Sequence, residues 1–119
     1  MMSRILIAED EDRVAAFIEK GLRKHGFSTA IATDGEQAVL MAQNDEFDLL
    51  LLDLGLPLKD GWAVLSELRH QGKQLPIIVV TARDDVKENK ASWQNGVNDC
   101  VSKPFRFQDL LVRIHHHLK

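Results

Sequence analysis

The sequence predicts an α/β domain, a three-layer αβα sandwich in which a five-stranded parallel sheet is covered by helices on both faces. Two observations carry this. Unbroken apolar runs, Ile5-Leu6-Ile7-Ala8, Leu49-Leu50-Leu51-Leu52 and Ile77-Ile78-Val79-Val80, read as strands buried on both faces, which is how parallel strands lie. Between them stand segments whose apolar residues recur at helical spacing, an alternation that marks βα units rather than a β-sandwich or a helix bundle.

Taken in order, the first strand spans 4–8 and the first helix about 13–25. That helix carries Val14, Phe17, Ile18 and Leu22 on one stripe, turns Glu19, Lys20, Arg23 and Lys24 to water, and stops at Gly26. A strand over 28–32 and a helix over 35–44 follow. The leucine run places the third strand at 48–53, where the turn Gly55-Leu56-Pro57 closes it, and a helix over 60–71 comes next. The fourth strand covers 76–80. A fourth helix over about 87–95 has few apolar anchors beyond Val86, Ala91 and Trp93, so it is expected to be the least firmly docked. A strand at 99–102 and a last helix over 107–118, with Leu110, Leu111, Ile114 and Leu118 inward, complete the chain. Right-handed crossovers join the strands, and no repeat or linker divides residues 1–119, which are expected to form one domain.

Composition narrows the function. The chain has 119 residues, 45% apolar and 28% charged, an ordinary globular balance large enough for one core. Its formal charge of −3 argues against a direct grip on a nucleic-acid backbone, which needs a basic face. A single cysteine, Cys100, allows no internal disulfide, and the longest apolar run is too short to cross a bilayer. The cytoplasm is the expected compartment.

The chemistry is expected where the strands end, because open parallel sheets place ligands at their carboxyl edge. The first strand runs into Glu9-Asp10, the third into Asp53, the fourth into Thr81-Ala82 and the fifth into Lys103. Three converging carboxylates repel one another by roughly 4 kcal/mol per pair at about 4 Å and an effective dielectric of about 20. A counter-charge is therefore required, from Lys103 and from a hard divalent cation with oxygen ligands. Mg²⁺ suits such a site better than zinc, which favours His or Cys. A carboxylate beside a cation and an ammonium can attack phosphorus, since both neutralise the oxygens of a transferring phosphoryl group. Thr81 can hydrogen-bond the product, and the small Ala82 leaves it room.

These residues resemble the receiver domain of bacterial two-component response regulators. The likeness rests on Glu9-Asp10, on Asp53-Leu54-Gly55-Leu56-Pro57 with Asp60-Gly61 behind it, on Thr81-Ala82-Arg83 and on Lys103-Pro104-Phe105, and it covers essentially the whole chain. It implies a flavodoxin-like (βα)5 fold with strand order 2-1-3-4-5. It implies that Asp53 accepts a phosphoryl group from a phosphohistidine on a sensor histidine kinase or phosphotransfer protein, and that Mg²⁺ is held by Asp10, Asp53 and the backbone carbonyl of Gly55, with Glu9 acting through a water. Thr81, Ala82 and Lys103 would meet the phosphoryl group, and Lys103-Pro104 would be cis. The wording is most similar to OmpR/PhoB-type receivers, which usually precede a winged-helix DNA-binding domain and dimerise through the fourth helix, fifth strand and fifth helix. Any such output domain is expected outside residues 1–119.

Two departures stand out. The position three before the lysine usually holds an aromatic switch residue, and here it is Cys100. The fourth helix near Asn89, and the site near Asn98, usually carry a base and an acid that pair across a dimer, and here both are asparagine. Lys87, Lys90, Asp99, Asp109 and Arg113 remain as candidates for that interface.

Plainer readings exist for each residue. A lone Asp at a strand end is more often a turn former, Glu11 and Asp12 are read simply as an acidic helix start, and Trp62 and Trp93 as packing residues. His115, His116 and His117 are consecutive on a helix and cannot converge on one ion. Cys100 is read as a small buried hydrophobe whose thiol the acidic cluster raises. An aspartyl-phosphate phosphatase would need a second acid two residues after Asp53, where Gly55 stands, so the chain is not expected to be an enzyme. A relay receiver, or a pseudo-receiver that docks partners without phosphorylation, remains as the alternative; beryllofluoride-independent partner affinity would mark the second.

Overall fold

The computed structural model describes residues 3–82 and 96–118. Five parallel strands, β1 (Arg4–Ala8), β2 (Ser28–Ala32), β3 (Leu49–Leu52), β4 (Ile77–Ala82) and β5 (Asp99–Lys103), pair in the order β2-β1-β3-β4-β5. The described helices are α1 (Asp12–Lys24), α2 (Gly35–Ala42), α3 (Gly61–His70) and a C-terminal helix (Phe107–His117). The predicted helix over 87–95, with Val86, Ala91 and Trp93, and the neighbouring Arg83, Lys87, Asn89 and Lys90, lies outside the described residues.

Strand alternation divides the core in two. Ile5, Ile7, Leu49, Leu51, Ile78, Val80 and Val101 face Ile18 and Leu22 of α1 and Leu110, Leu111 and Ile114 of the C-terminal helix. Leu6, Ala8, Leu50, Leu52 and Ile77 face α2 and α3 through Ala38, Val39, Val64, Leu65 and Leu68, with Trp62 packed beside them. The four leucines of β3 therefore serve two cores, two apiece. That is why the run shows no polar alternation.

Local chemistry sets the helix ends. Asp34 and Asp60 each accept a hydrogen bond from a backbone amide three residues on, at 2.8 and 2.9 Å, and start α2 and α3. Gly26 stops α1 at φ +88°, a left-handed conformation, while the Phe27 amide donates back to Leu22. Phe17 departs from the predicted stripe: it is half-exposed, because it sits at the stripe's edge and packs on Phe105 and Phe107 rather than on the sheet.

β4 and β5 run further than the sequence suggests, to Ala82 and Lys103. The two ends extend together, since Thr81 is registered with Ser102 and Ala82 with Lys103. At the other end of β5, the Arg69 guanidinium donates to the carbonyls of Gly96, Lys73 and Leu75 and to Asn98 Oδ1. Burial pulls this guanidinium below its usual range. Asn98 Oδ1 also accepts from the Ile77 amide, so this side chain ties the start of β4 to the residue that precedes β5.

Candidate functional site

Register brings the strand ends together. Ala8 and Leu52 are paired across β1 and β3, so the next residues, Glu9 and Asp53, emerge side by side. The strand order reverses at β1 and β3, the switch point where open sheets leave a crevice. Carboxylate oxygens of Glu9, Asp10 and Asp53 lie within 4.8 Å of one another, with Glu9 and Asp53 buried and Asp10 exposed. Among the described residues this is the one cluster of His, Cys, Asp or Glu with metal-binding spacing. Its all-oxygen donor set, open on the Asp10 side, suits a hard, partly hydrated cation such as Mg²⁺.

Lys103 closes the cluster from β5. Its Nζ lies 2.6 Å from Glu9 Oε1, 3.4 Å from Asp53 Oδ2 and 3.6 Å from Glu11 Oε1. The Glu9 contact is a short charge-assisted bond, whereas the Asp53 contact is long. Asp53 Oδ1 is also loosely held, accepting from the Thr81 hydroxyl at 3.3 Å and the Gly55 amide at 3.2 Å. The lysine is thus anchored by Glu9, and among the described residues Asp53 has only long contacts. Burial lifts the Glu9 carboxyl above its ordinary range; the bonds from Lys103 and the Glu11 amide oppose this, and the charge of Asp53 adds to it. Burial alone would lower Lys103, yet the bond to Glu9 and the charges of Asp53 and Glu9 outweigh it and raise the ammonium.

The remaining predicted residues fall around this edge. Ala82 is exposed at the end of β4, Gly55 is exposed in the loop after β3, and Lys103-Pro104 is cis. Cys100 sits further back on β5, partly buried. Its thiol is pushed up to about 11 by burial and then by Asp99, not by the acidic cluster at the strand ends. Asp99 itself pairs with Arg113 at 2.5 Å and His117 at 3.0 Å within the chain. Glu11 stands, as expected, exposed at the acidic start of α1; it makes no side-chain cap bond there, and its carboxylate also lies 3.6 Å from Lys103 Nζ.

A profile of the response regulator receiver domain matches residues 5–115. The chain belongs to this family. As a receiver domain it is similar to the response regulator protein PmrA of Pseudomonas aeruginosa, 42% identical over 93% of this chain and 50% of PmrA. It is also similar to the transcriptional regulatory protein PcoR of Escherichia coli, 34% identical over 95% of this chain and 50% of that protein. The chain thus spans about half the length of the curated relatives it matches. Among solved structures, it superposes on the receiver domain of the sensor histidine kinase PA1611 from Pseudomonas aeruginosa with a TM-score of 0.89, 31% identity and coverage of 99% and 98%. That structure holds a magnesium ion in its active-site cleft. TrrA of Thermotoga maritima, in complex with Mg²⁺-BeF, is 29% identical with a TM-score of 0.88, covering 98% of this chain and all of that one. Receiver domains are signalling modules of two-component systems, and Mg²⁺ binding is typical of them. No helix among the described residues is long and apolar enough to cross a membrane.

Proposed function

We propose that Asp53 is the phosphoacceptor of this receiver domain and that residues 1–119 work as one unit. The observation that carries the reading is the meeting of Asp53, Thr81 and Lys103, from three separate strands, around a loosely held carboxylate. A carboxylate oxygen of Asp53 attacks phosphorus, the bond to the imidazole nitrogen of a donor phosphohistidine breaks, and the histidine leaves with the bonding pair. Lys103 and the Thr81 hydroxyl receive the phosphoryl oxygens, and Ala82 adds no bulk there. Asp10, Asp53 and the Gly55 carbonyl, with Glu9 through a water, would hold Mg²⁺, which supplies positive charge against the phosphoryl oxygens.

The donor is a sensor histidine kinase or a phosphotransfer protein, and the compartment is the cytoplasm. By likeness to relatives named as transcriptional regulators, the output is control of transcription through a DNA-binding segment outside these residues, with homodimerisation through the face that includes β5 and the C-terminal helix. The chain promotes only its own phosphorylation and dephosphorylation. Incubation with acetyl phosphate and Mg²⁺ is expected to add one phosphoryl mass to the wild type and none to Asp53→Ala. Equal labelling of both ends this reading. A docking module independent of phosphorylation is the second reading, favoured by Cys100 at the usual aromatic position; partner affinity unmoved by beryllofluoride would select it.

A further inference from the structure

We infer that Glu11 is a positioning residue that competes with the incoming phosphoryl group for Lys103 and thereby holds down the affinity of the site for anions. The inference rests on the proposed role of Asp53. Among the described residues three carboxylates surround the Lys103 ammonium, and they differ in exposure: the side chains of Glu9 and Asp53 are 3% and 10% exposed, that of Glu11 64%. A phosphoryl group on Asp53 must take N–H donors from this lysine. Glu9 is buried and bound at 2.6 Å, so its contact is costly to release. Glu11, solvated and 3.6 Å away, holds no N–H of the lysine and acts on it through charge alone, so its contact yields with little cost.

The backbone of Glu11 explains why the side chain is available. It occupies the N-cap position of α1 in an extended conformation, where Ser, Thr, Asp or Asn would bond the first helical amides, yet it makes no such bond. Its own amide donates to Glu9 Oε2 at 3.1 Å and holds residue 11 beside the acceptor edge. The carboxylate then stands over Lys103, where it attracts a cation and repels an anion.

Opposite signs for the two ions make the test specific. Coulomb energy at roughly 6 Å, in a solvated setting with physiological screening, changes affinity by about twofold per unit of ligand charge. Glu11→Gln is expected to bind beryllofluoride about twofold tighter and Mg²⁺ about fourfold more weakly by titration calorimetry. It should also accept phosphoryl from dianionic acetyl phosphate about fourfold faster by intact mass, with acetate leaving as the phosphorus–oxygen bond to Asp53 forms. All three differences should shrink in 1 M KCl, where the screening length falls to about 3 Å. Asp12→Asn, which removes a neighbouring exposed charge from α1, is the control and should match the wild type. Glu11→Ser keeps the test clear of folding defects, since serine is a better cap and should raise stability along with anion affinity. Anion affinity in Glu11→Gln equal to the wild type, or Asp12→Asn reproducing its effects, overturns this inference alone. A wild type that takes neither beryllofluoride nor a phosphoryl mass overturns the reading of Asp53, and this one with it.

Discussion

Removing a single ammonium from the acceptor edge strands the charge it balances. In Lys103→Met the buried Glu9 carboxylate loses a 2.6 Å partner, the one cation that pairs with it among the described residues. Breaking a buried pair from one side costs about 3 kcal/mol, and the lysine's residual solvent contact lowers the expectation to about 2 kcal/mol of unfolding free energy in EDTA. Urea titration reads this directly; a loss below about 0.5 kcal/mol means Glu9 is solvated in solution. Cys100 offers a second residue-scale test. A thiol titrating near 11 instead of near 9 has about a hundredfold less thiolate at pH 8, partly offset by about eightfold greater nucleophilicity of each thiolate. Alkylation by iodoacetamide at pH 8 should therefore run roughly tenfold slower than in the urea-unfolded chain, and equal rates would refute the burial. Because the folded value is raised, the thiol's contribution to stability is full below about pH 9 and is lost as pH rises through about 11. Residue by residue, Glu9 and Asp53 were legible because each follows an apolar run, and Lys103 because it ends the short fifth strand just before a proline. The turn of Glu11 toward Lys103, and the Asp99 pairs with Arg113 and His117, were not: they depend on side-chain directions across elements distant in sequence.

At the scale of elements, the loop from β3 to α3 shows how a rigid support is built from absent atoms. A Cβ on Gly35 would lie 1.7 Å from the Lys59 carbonyl oxygen, and one on Gly61 2.6 Å from the Asp53 carbonyl oxygen, so both glycines permit close backbone approach. The Gly35 amide donates to the Pro57 carbonyl at 3.1 Å and the Gly61 amide to Leu54 at 2.9 Å, while Leu54 and Leu56 are buried. Lys59 pairs with Glu67 of α3. Held this firmly, the loop forces Leu58 to φ +68°, with the residue 76% exposed. A left-handed leucine costs about 1–2 kcal/mol, and the greater freedom of unfolded glycine gives back under 1 kcal/mol. Leu58→Gly is therefore expected to stabilise the domain by about 0.5–1 kcal/mol in chemical denaturation. Destabilisation would show that the leucine makes a contact in solution. The sequence marked this loop through Gly55-Leu56-Pro57 and Asp60-Gly61, but the strained position is invisible to pattern, since leucine carries no turn signal. Strand ends were misjudged for a related reason: Thr81 and Lys103 are polar, yet the pairing of β4 with β5 carries the ladder through them.

For the molecule as a whole, the hydrophobic pattern dictated the sandwich because buried parallel strands leave few alternatives, and the same pattern fixes where acidic residues must cluster. That cluster is a standing liability of the metal-free fold: three carboxylates share one crevice, two of them buried, with one lysine as the close counter-charge among the described residues. A divalent cation bound only by the folded state adds stability as RT ln(1 + [L]/Kd), about 2.7 kcal/mol at a hundred times Kd. For a domain of this size, each kcal/mol raises the melting temperature by roughly 4 °C. Mg²⁺ at that excess should therefore raise Tm by roughly 10 °C over EDTA by differential scanning calorimetry, and Ca²⁺, also an oxygen-seeking dication, should raise it too. Asp10→Asn removes the exposed carboxylate of the three and relieves repulsion, so its Tm in EDTA should equal or exceed that of the wild type while its response to Mg²⁺ falls away. A wild-type Tm indifferent to Mg²⁺ would mean that Lys103 alone balances the crevice, and the metal assignment for Asp10 and Asp53 would fall.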